Sequence, residues 1–336
     1  MKKIYPLKID AYSHIVTKKY WDALNKVAPS PHRYLDTPPL FDLDYRFRIM
    51  DRYDGLVQVL TLGFPAIEEV ADSKQAVDLA KLANDELAKL VWDYPDRFIA
   101  AIATIPMNNV DAAWKELDRA INDLQCKGVM VYSNMDGKPL DSPEFMPLYE
   151  KMSQYNLPIY IHPQRGEDFP DYQTEKTSKY AIHNVFGWPY DTTVAMARLV
   201  FSGILEKYPN LKVITHHCGG MVPFYEQRII QHYAKFETGP RSRGYTKGFT
   251  KPLIEYFKMF YNDTAIHGHS AGLMCAYDFC GAEHLLFGAD MPLGDAQVGY
   301  RSYRQTVNAI EEMDISEEEK KMIFVDNIRK LLRLYA

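Results

Sequence analysis

The feature that most constrains the fold is a repeated alternation of short apolar runs with longer amphipathic stretches. The apolar runs predict eight strands, over residues 3–10, 56–62, 98–105, 128–132, 158–162, 211–217, 259–263 and 284–290. Helical patterns follow most of them, over residues 71–94, 110–125, 145–155, 192–208, 221–234, 270–280 and 297–335. Strands and helices that alternate in this way predict an α/β fold of the (β/α)8 TIM barrel type, with residues 1–336 as one domain.

A doubly wound open sheet is the alternative architecture for the same alternation of strands and helices. Such a sheet typically carries a G-x-G-x-x-G loop after its first strand. The sequence after residue 10 continues as AYSHIV and contains no such loop. The barrel is therefore the favoured interpretation.

Two segments are too irregular to be simple connections between a strand and a helix. Residues 15–45 contain Pro29, Pro31, Pro38 and Pro39 and form a predicted Pro-rich insertion after the first strand. Residues 166–184 form a second irregular segment after the fifth strand. We expect the first to serve as a lid or a contact with a partner, and the second to close over the same end of the barrel.

The composition excludes several classes of function. The chain of 336 residues has a net charge of −5 and no basic cluster, so nucleic acid is not an expected partner. Its apolar runs are all shorter than the roughly 20 residues that cross a bilayer. The N-terminal MKKIYPLKID lacks the apolar core of a signal peptide, and the four cysteines form no C-x-x-C pair. The sequence therefore predicts a cytoplasmic enzyme with reduced thiols and no membrane contact.

Histidine and aspartate mark the ends of the predicted strands. In a barrel these ends, with the loops that follow, form the active site. The residues concerned are Asp10, Tyr12 and His14 at the first strand, His162 at the fifth, His216 and His217 at the sixth, and Asp290 at the eighth. Imidazole and carboxylate are standard ligands of Zn, Mn or Fe. We therefore predict a divalent transition metal ion with His14, His162 and Asp290 as ligands.

The neighbouring His216 and His217 end the sixth predicted strand. Consecutive side chains on a strand face opposite sides, so only one of the two is expected to point into the barrel. A histidine held there beside a metal could act as a general acid or base. The adjacent Cys218 has no visible activating partner, and we expect it to be an inert thiol.

Five segments resemble one known family. They are KIDAYSHIV, RFRIMD, PIYIHP, the run from GWPYDTT to HHCGG, and LLFGADMPLG, and they occur in the expected order from about residue 8 onwards. The chain is similar in these segments to the amidohydrolase-2 family, which includes 2-amino-3-carboxymuconate-6-semialdehyde decarboxylases and γ-resorcylate decarboxylases. The resemblance implies a metal-dependent, nonoxidative decarboxylase, expected to be a homodimer or higher homo-oligomer.

The resemblance also implies roles for individual residues. It places His14, His162 and Asp290 at metal-ligand positions and His217 at the position of the acid/base histidine, with Asp290 as a second candidate for proton transfer. Arg46 corresponds to an arginine that binds a substrate carboxylate, which suits a guanidinium fork. His267 falls at a position that is often histidine and is a candidate substrate-binding residue. His183 has no clear counterpart and is a possible additional ligand.

Tyr12 departs from the family pattern, because it stands where the first histidine of an H-x-H motif is expected. A phenol must lose its proton to bind a metal well, and its ordinary pKa is about 10. Three outcomes follow for the site. Tyr12 is a ligand of a single ion, or the other residues hold the ion without it, or the protein has no catalytic metal.

Four functions are compatible with these residues. The leading one is nonoxidative decarboxylation of a small aromatic or unsaturated carboxylic acid, in which a Lewis acid stabilises the developing negative charge. The second is hydrolysis or hydration by metal-activated water. The third is an oxygenase that uses iron or a mixed-metal pair, and the fourth is a non-catalytic partner subunit that has lost its ion.

Overall fold

The computed structural model describes residues 7–29, 37–237, 242–293 and 299–334, and a ring of parallel strands lies at its centre. Each strand pairs in parallel with its neighbour in the sequence. The first to eighth strands are Lys8–Ile15, Leu56–Leu62, Phe98–Ala101 with Ala103–Thr104, Val129–Tyr132, Ile159–His162, Val213–Thr215, Tyr261–Asp263 and Leu285–Leu286. This is the predicted (β/α)8 arrangement, with its strands in sequence order.

Backbone hydrogen bonds close the ring between the eighth strand and the first. The amide of Ala11 donates to the carbonyl of Phe287, and the amide of His14 donates to the carbonyl of Met291, each over 2.8 Å. Within the third strand, Ile102 donates to the second strand and Ala103 donates to Gly128, just before the fourth. The bonds from Ala11 and His14 hold the first and eighth strands side by side, which brings His14 close to Asp290.

Helices connect the strands. The α-helices are Lys18–Val27, Leu43–Met50, Ile67–Val70, Ser73–Asp93, Val110–Asn122, Met146–Tyr155, Trp188–Phe201, Ile204–Lys207, Glu226–Glu237, Leu253–Phe257, Ser270–Cys280, Tyr300–Glu311, Glu317–Lys321 and Asn327–Leu331. Shorter elements are the 3-10 helices Pro38–Leu40, Pro143–Phe145 and Ala282–His284, the π-helical turns His183–Gly187 and Met322–Asp326, and the paired strands Asn134–Met135 and Lys138–Pro139. Among the described residues, no helix combines the length and the apolar character needed to cross a membrane.

Several predicted boundaries were wrong, including those of the first strand and of two helices. The first strand runs on to Ile15, so Tyr12 and His14 lie within it and do not follow it. The helix predicted over 221–234 is Glu226–Glu237, because residues 221–225 continue the turn that begins with the left-handed residues 217–220. The helix predicted over 297–335 is divided into Tyr300–Glu311 and shorter pieces beyond it.

The predicted Pro-rich insertion is only partly irregular. Its described part contains the helix Lys18–Val27, capped by the side chain of Thr17, and the 3-10 helix Pro38–Leu40. Lys19 of the first helix forms an ion pair with Glu86 of the helix Ser73–Asp93. Residues 30–36, which include Pro31, lie outside the described part of the chain. The predicted role as a lid or partner contact stays a prediction.

A β-bulge in the first strand separates residues that the sequence pattern had placed together. Asp10 pairs with Gln58 and Ser13 pairs with Leu60, so two residues of the first strand oppose one of the second. Asp10 accordingly faces the helix Tyr300–Glu311, where the hydroxyl of Tyr303 donates to its Oδ2 over 2.5 Å. Tyr12 and His14 face the barrel interior. The expectation that Asp10 converges with them was wrong.

The fully buried Arg46 holds this part of the first strand in place. Its guanidinium donates to Ser13 Oγ over 2.7 Å, to the carbonyls of His14 and Pro39 over 2.8 and 2.9 Å, and to Gln58 Oε1 over 2.7 Å. Four hydrogen bonds to the protein use most of the five donors of a guanidinium. The structure therefore contradicts the prediction that Arg46 binds a substrate carboxylate, and shows instead that it supports the backbone beside His14.

We expect Arg46→Met to lower the free energy of unfolding by about 2 to 4 kcal/mol, because four buried acceptors would lose their donor. Arg48→Met is the matched control, since Arg48 lies in the same helix and is exposed, and it should change this free energy by less than about 0.5 kcal/mol. Urea denaturation of the three proteins measures both values. Equal stabilities of the two variants would contradict a supporting role for Arg46.

Candidate metal centre and active site

Imidazole rings from three strands converge at the carboxyl end of the barrel. His14 lies in the first strand, His162 ends the fifth, and His216 directly follows the sixth. The ligand nitrogens of these three buried residues lie within 4.8 Å of one another. His216, His217 and Asp290 form a second such group. The two groups share His216, so all five residues belong to one cluster.

The carboxylate of Asp290 lies between three of these histidines. Its Oδ1 is 3.4 Å from His14 Nε2 and 3.3 Å from His216 Nε2, and its Oδ2 is 3.8 Å from His217 Nε2. Asp290 follows the eighth strand with φ of 55°, a left-handed conformation that Asp tolerates better than most residues. This turn directs its side chain to the centre of the cluster.

Each buried histidine is anchored through Nδ1. His14 Nδ1 lies 3.2 Å from the carbonyl of Leu62, His162 Nδ1 lies 2.7 Å from the carbonyl of Pro163, and His216 Nδ1 bonds the carboxylate of Asp263. Outer partners of this kind fix the ring orientation of metal-ligating histidines. Within the described chain, His14 Nε2, His216 Nε2 and Asp290 Oδ1 are buried without a hydrogen-bond partner.

The protonation tendencies of two of these groups also suit a metal. Burial and the neighbouring histidines hold the pKa of His162 well below its usual value. Burial alone would raise the pKa of Asp290, but the charge of His216 and the closeness of the His14, His216 and His217 rings hold it well below its usual value. Neutral imidazole and ionised carboxylate are the forms that bind metals. The residues present therefore fit a divalent transition metal ion.

His216 has the opposite tendency. Burial alone would lower its pKa, but Asp263 and Asp290 together raise it to about 10. Two buried carboxylates are thus balanced by one imidazolium when no other cation is present. A metal ion bound at the cluster would take over this role and displace the proton from Nε2.

The structure contradicts the expectation that only one of His216 and His217 points inwards. The sixth strand ends at Thr215, and His217 has φ of 55°, so the alternation of a strand no longer applies to it. His216 faces inwards by alternation, while His217 reaches Asp290 from the following turn and stacks on Trp188 at 6.0 Å between ring centroids. Sequence analysis had named His216 at this strand end without giving it a role, and had not named its partner Asp263.

Tyr12 lies beside the cluster, where its side chain packs against the imidazole of His216. Its side chain is fully buried and stacks on His216, with 4.2 Å between ring centroids and 18° between ring planes. Its hydroxyl has no hydrogen-bond partner among the described residues. Burial, together with the negative charges of Asp263 and Asp290, raises its pKa well above the usual value for a phenol. These surroundings favour a neutral tyrosine.

Two other predicted residues belong to neither group of candidate ligands in the described chain. His267 is exposed in the turn after the seventh strand, with φ of 55°. His183 begins the turn His183–Gly187 and belongs to neither group of candidate ligands found in the described chain. Their roles in substrate or metal binding stay predictions. Cys218 is buried, which raises the pKa of its thiol well above the usual value and agrees with an inert residue.

Aromatic rings form a wall beside the histidines. Trp188 lies 5.6 Å from His162 and 6.1 Å from Phe64, and Tyr132 lies 5.4 Å from His162, measured between ring centroids. Sequence analysis gave these residues no role, because aromatic residues occur throughout the chain, although Trp188 stands in the quoted segment GWPYDTT. Flat apolar faces at such a position can hold a planar ring by stacking.

Comparison with known proteins identifies the family to which this chain belongs. A family model described as "Amidohydrolase" matches residues 9–334. The γ-resorcylate decarboxylase of Polaromonas sp. (strain JS666) is 30% identical over 298 residues, which cover 87% of each chain. The 2-amino-3-carboxymuconate-6-semialdehyde decarboxylase of Dictyostelium discoideum is 28% identical and covers 98% of this chain and 92% of its own.

A solved structure of a dihydroxybenzoic acid decarboxylase from Polaromonas sp. JS666, with bound manganese and the inhibitor 2-nitroresorcinol, superposes with a TM-score of 0.80. It is 27% identical and covers 98% of this chain and 97% of its own. The comparisons thus confirm the predicted family, the predicted barrel fold and the predicted decarboxylase class. On the match over residues 9–334, the chain belongs to the amidohydrolase family.

Proposed function

We propose that this protein is a metal-dependent, nonoxidative decarboxylase of a small hydroxylated aromatic carboxylic acid. The observation that carries the proposal is the cluster of His14, His162, His216, His217 and Asp290, with buried and unpaired ligand atoms at its centre. The relatives named above are decarboxylases, and one of them binds manganese with a nitrated resorcinol as inhibitor.

His14, His162 and Asp290 would hold the ion, which is Zn, Mn or Fe, with manganese favoured by the relative. When bound, such an ion polarises the oxygen atoms of the substrate and stabilises negative charge that develops on them. The aromatic wall of Phe64, Tyr132 and Trp188 would orient the ring of the substrate beside the cluster. An aromatic acid is therefore a better fit than an aliphatic one.

The chain itself would supply the proton that the reaction requires. The bond between the ring carbon and the carboxylate breaks, carbon dioxide leaves, and the electron pair stays on the ring carbon. A proton delivered by His217, whose Nε2 lies 3.8 Å from Asp290 Oδ2, then forms the new carbon–hydrogen bond. His217 is the member of the cluster with 13% of its side chain exposed, so it can exchange this proton with solvent.

The other candidate functions have less support. Hydrolysis or hydration would use the same cluster, and an oxygenase would draw on His183 or His267 for a second ion. Neither His183 nor His267 joins a group of three candidate ligands in the described chain. A non-catalytic subunit would have no need for several unpaired ligand atoms in a buried site, because each is costly when it has no partner.

We further propose a homodimer of single-domain chains in the cytoplasm. All four cysteines are free thiols, which suits a reducing compartment. Large apolar side chains are exposed around the helices Trp188–Phe201 and Glu226–Glu237, namely Tyr190, Val194, Phe224, Tyr225, Ile230 and Tyr245. An apolar patch of this kind typically marks an interface.

We expect His217→Ala to lower kcat by a factor of about 100 to 10,000 on 2,6-dihydroxybenzoate, because proton delivery to the ring carbon is lost. The metal content should stay unchanged, since His217 is not one of the proposed ligands. His232→Ala is the control, as His232 is exposed and outside the cluster. Release of carbon dioxide and elemental analysis measure the two quantities. Full activity of His217→Ala would exclude this residue as the acid/base.

Removal of the metal should abolish carbon dioxide release, and added Mn²⁺ should restore it under anaerobic conditions, because no oxygen is consumed. Mn²⁺ at a hundredfold excess over Kd should also stabilise the fold by about 2.7 kcal/mol. Activity and the unfolding midpoint are measured on the metal-free and reloaded protein. Activity that persists without metal, or that requires oxygen, would contradict the proposal.

Substitution of an exposed apolar residue tests the dimer. We expect Phe224→Asp to convert a dimer to a monomer, because a desolvated charge at an interface is unfavourable. Trp92→Asp is the matched control, since Trp92 is also highly exposed but lies elsewhere. Analytical ultracentrifugation gives the mass of each protein. A wild-type monomer would overturn the proposed dimer.

A further inference from the structure

We propose that His216 is a ligand of the metal ion, and that Tyr12 is a packing partner that holds the imidazole of His216 in place. The coordinating residues would then be His14, His162, His216 and Asp290. This inference rests on the proposed use of a metal. It concerns which side chains of this chain reach the ion.

The position of His216 carries the first step. Its Nε2 lies in the group formed with His14 and His162, whose ligand nitrogens are within 4.8 Å of one another, and it is 3.3 Å from Asp290 Oδ1. It is fully buried and has no hydrogen-bond partner in the described chain. Three nitrogens within 4.8 Å of one another can bind one ion at ligand distances of about 2.0 to 2.2 Å after small movements, and Asp290 Oδ1 lies beside two of them.

The carboxylate of Asp263 is the second support for the inference, because it bonds Nδ1 of His216 on the side away from Nε2. The Oγ1 hydroxyl of Thr215 donates to Asn262 Oδ1 over 2.7 Å on the outer face of the sheet. The next pair along the two strands, His216 and Asp263, forms its hydrogen bond on the opposite face, inside the barrel. The amides of Cys218 and Ala265 donate to Asp263 Oδ1 over 3.2 and 3.0 Å. Asp263 is therefore fixed, binds Nδ1 and leaves Nε2 available, as the outer carboxylate of a metal-bound histidine does.

The orientation of Tyr12 carries the third step. An ion bound by His216 lies in the plane of the imidazole, because the lone pair of Nε2 lies in that plane. The ring of Tyr12 is stacked on this imidazole, with 4.2 Å between centroids and an angle of 18°. Its hydroxyl consequently lies in a neighbouring, nearly parallel plane. A phenol in that position buttresses the ligand histidine and does not share its ion.

Metal binding in the absence of substrate tests the inference directly. The full-length protein is stripped of metal and reloaded with Zn²⁺ or Mn²⁺, X-ray absorption of the zinc form counts the bound imidazoles, and calorimetry gives the affinity. We expect three bound imidazoles in the wild type. We expect two in His216→Asn, with affinity lower by a factor of about 100 or more.

Tyr12→Phe should keep three imidazoles and an affinity within about threefold of the wild type, since only a hydroxyl without a partner is removed. His232→Asn is the control for loss of a histidine outside the cluster. Two imidazoles in the wild type, or a loss of affinity in Tyr12→Phe as large as that expected for His216→Asn, would overturn the inference.

A further variant keeps the test decisive if His216→Asn does not fold. Asp263→Asn retains the imidazole and changes only its support, and we expect affinity to fall by a factor of about 10 to 100. Unchanged affinity would count against His216. Because these measurements use no substrate, a protein that binds metal through three imidazoles but releases no carbon dioxide contradicts only the proposed reaction. A wild type that binds no metal would overturn both.

Discussion

The rest of the site depends on one buried carboxylate, that of Asp290. A carboxylate at this depth is unfavourable unless positive charge or hydrogen-bond donors surround it. Here the Nε2 atoms of His14 and His216 lie 3.4 and 3.3 Å from Oδ1, and that of His217 lies 3.8 Å from Oδ2. The same arrangement that keeps Asp290 ionised offers a metal ion several imidazole nitrogens and one anionic oxygen. The histidines that stabilise the ionised carboxylate of Asp290 are thus the same groups that allow the cluster to bind a cation.

Closure of the barrel makes this arrangement possible. Asp290 and His14 come from the eighth and first strands, which are far apart in sequence and are joined by hydrogen bonds from Ala11 to Phe287 and from His14 to Met291. The bulge in the first strand then divides two buried polar networks. Asp10 bonds Tyr303 outside the ring, near Arg46, while Tyr12 and His14 join the metal cluster inside it. Arg46 connects the two, because it donates to the backbone carbonyl of His14 from the outer side.

Much of the fold and part of the site could be predicted from the sequence, for identifiable reasons. The strands are apolar runs at regular intervals, and His14, His162 and Asp290 stand at or near strand ends, where a barrel places its active site. His216 was missed because the alternation of a strand allows only one of two neighbours to face inwards, whereas the turn after Thr215 brings His217 in as well. Asp263 was missed because it marks the site only through its pairing with His216. Arg46 was predicted to bind a substrate carboxylate because the motif RFRIMD gives the residue type but does not show that the side chain is buried.

By itself, the sequence determined the barrel, the family and the kinds of ligand atom available, because periodicity and residue type are local properties that the chain carries wherever it folds. Tertiary structure decided which of those atoms meet. The stacking of Tyr12 on His216, the carboxylate behind that histidine and the four hydrogen bonds of Arg46 all join residues from different elements. Such contacts depend on strand register, a bulge and a left-handed turn. Each of these changes the direction of a side chain without changing the pattern from which it was predicted.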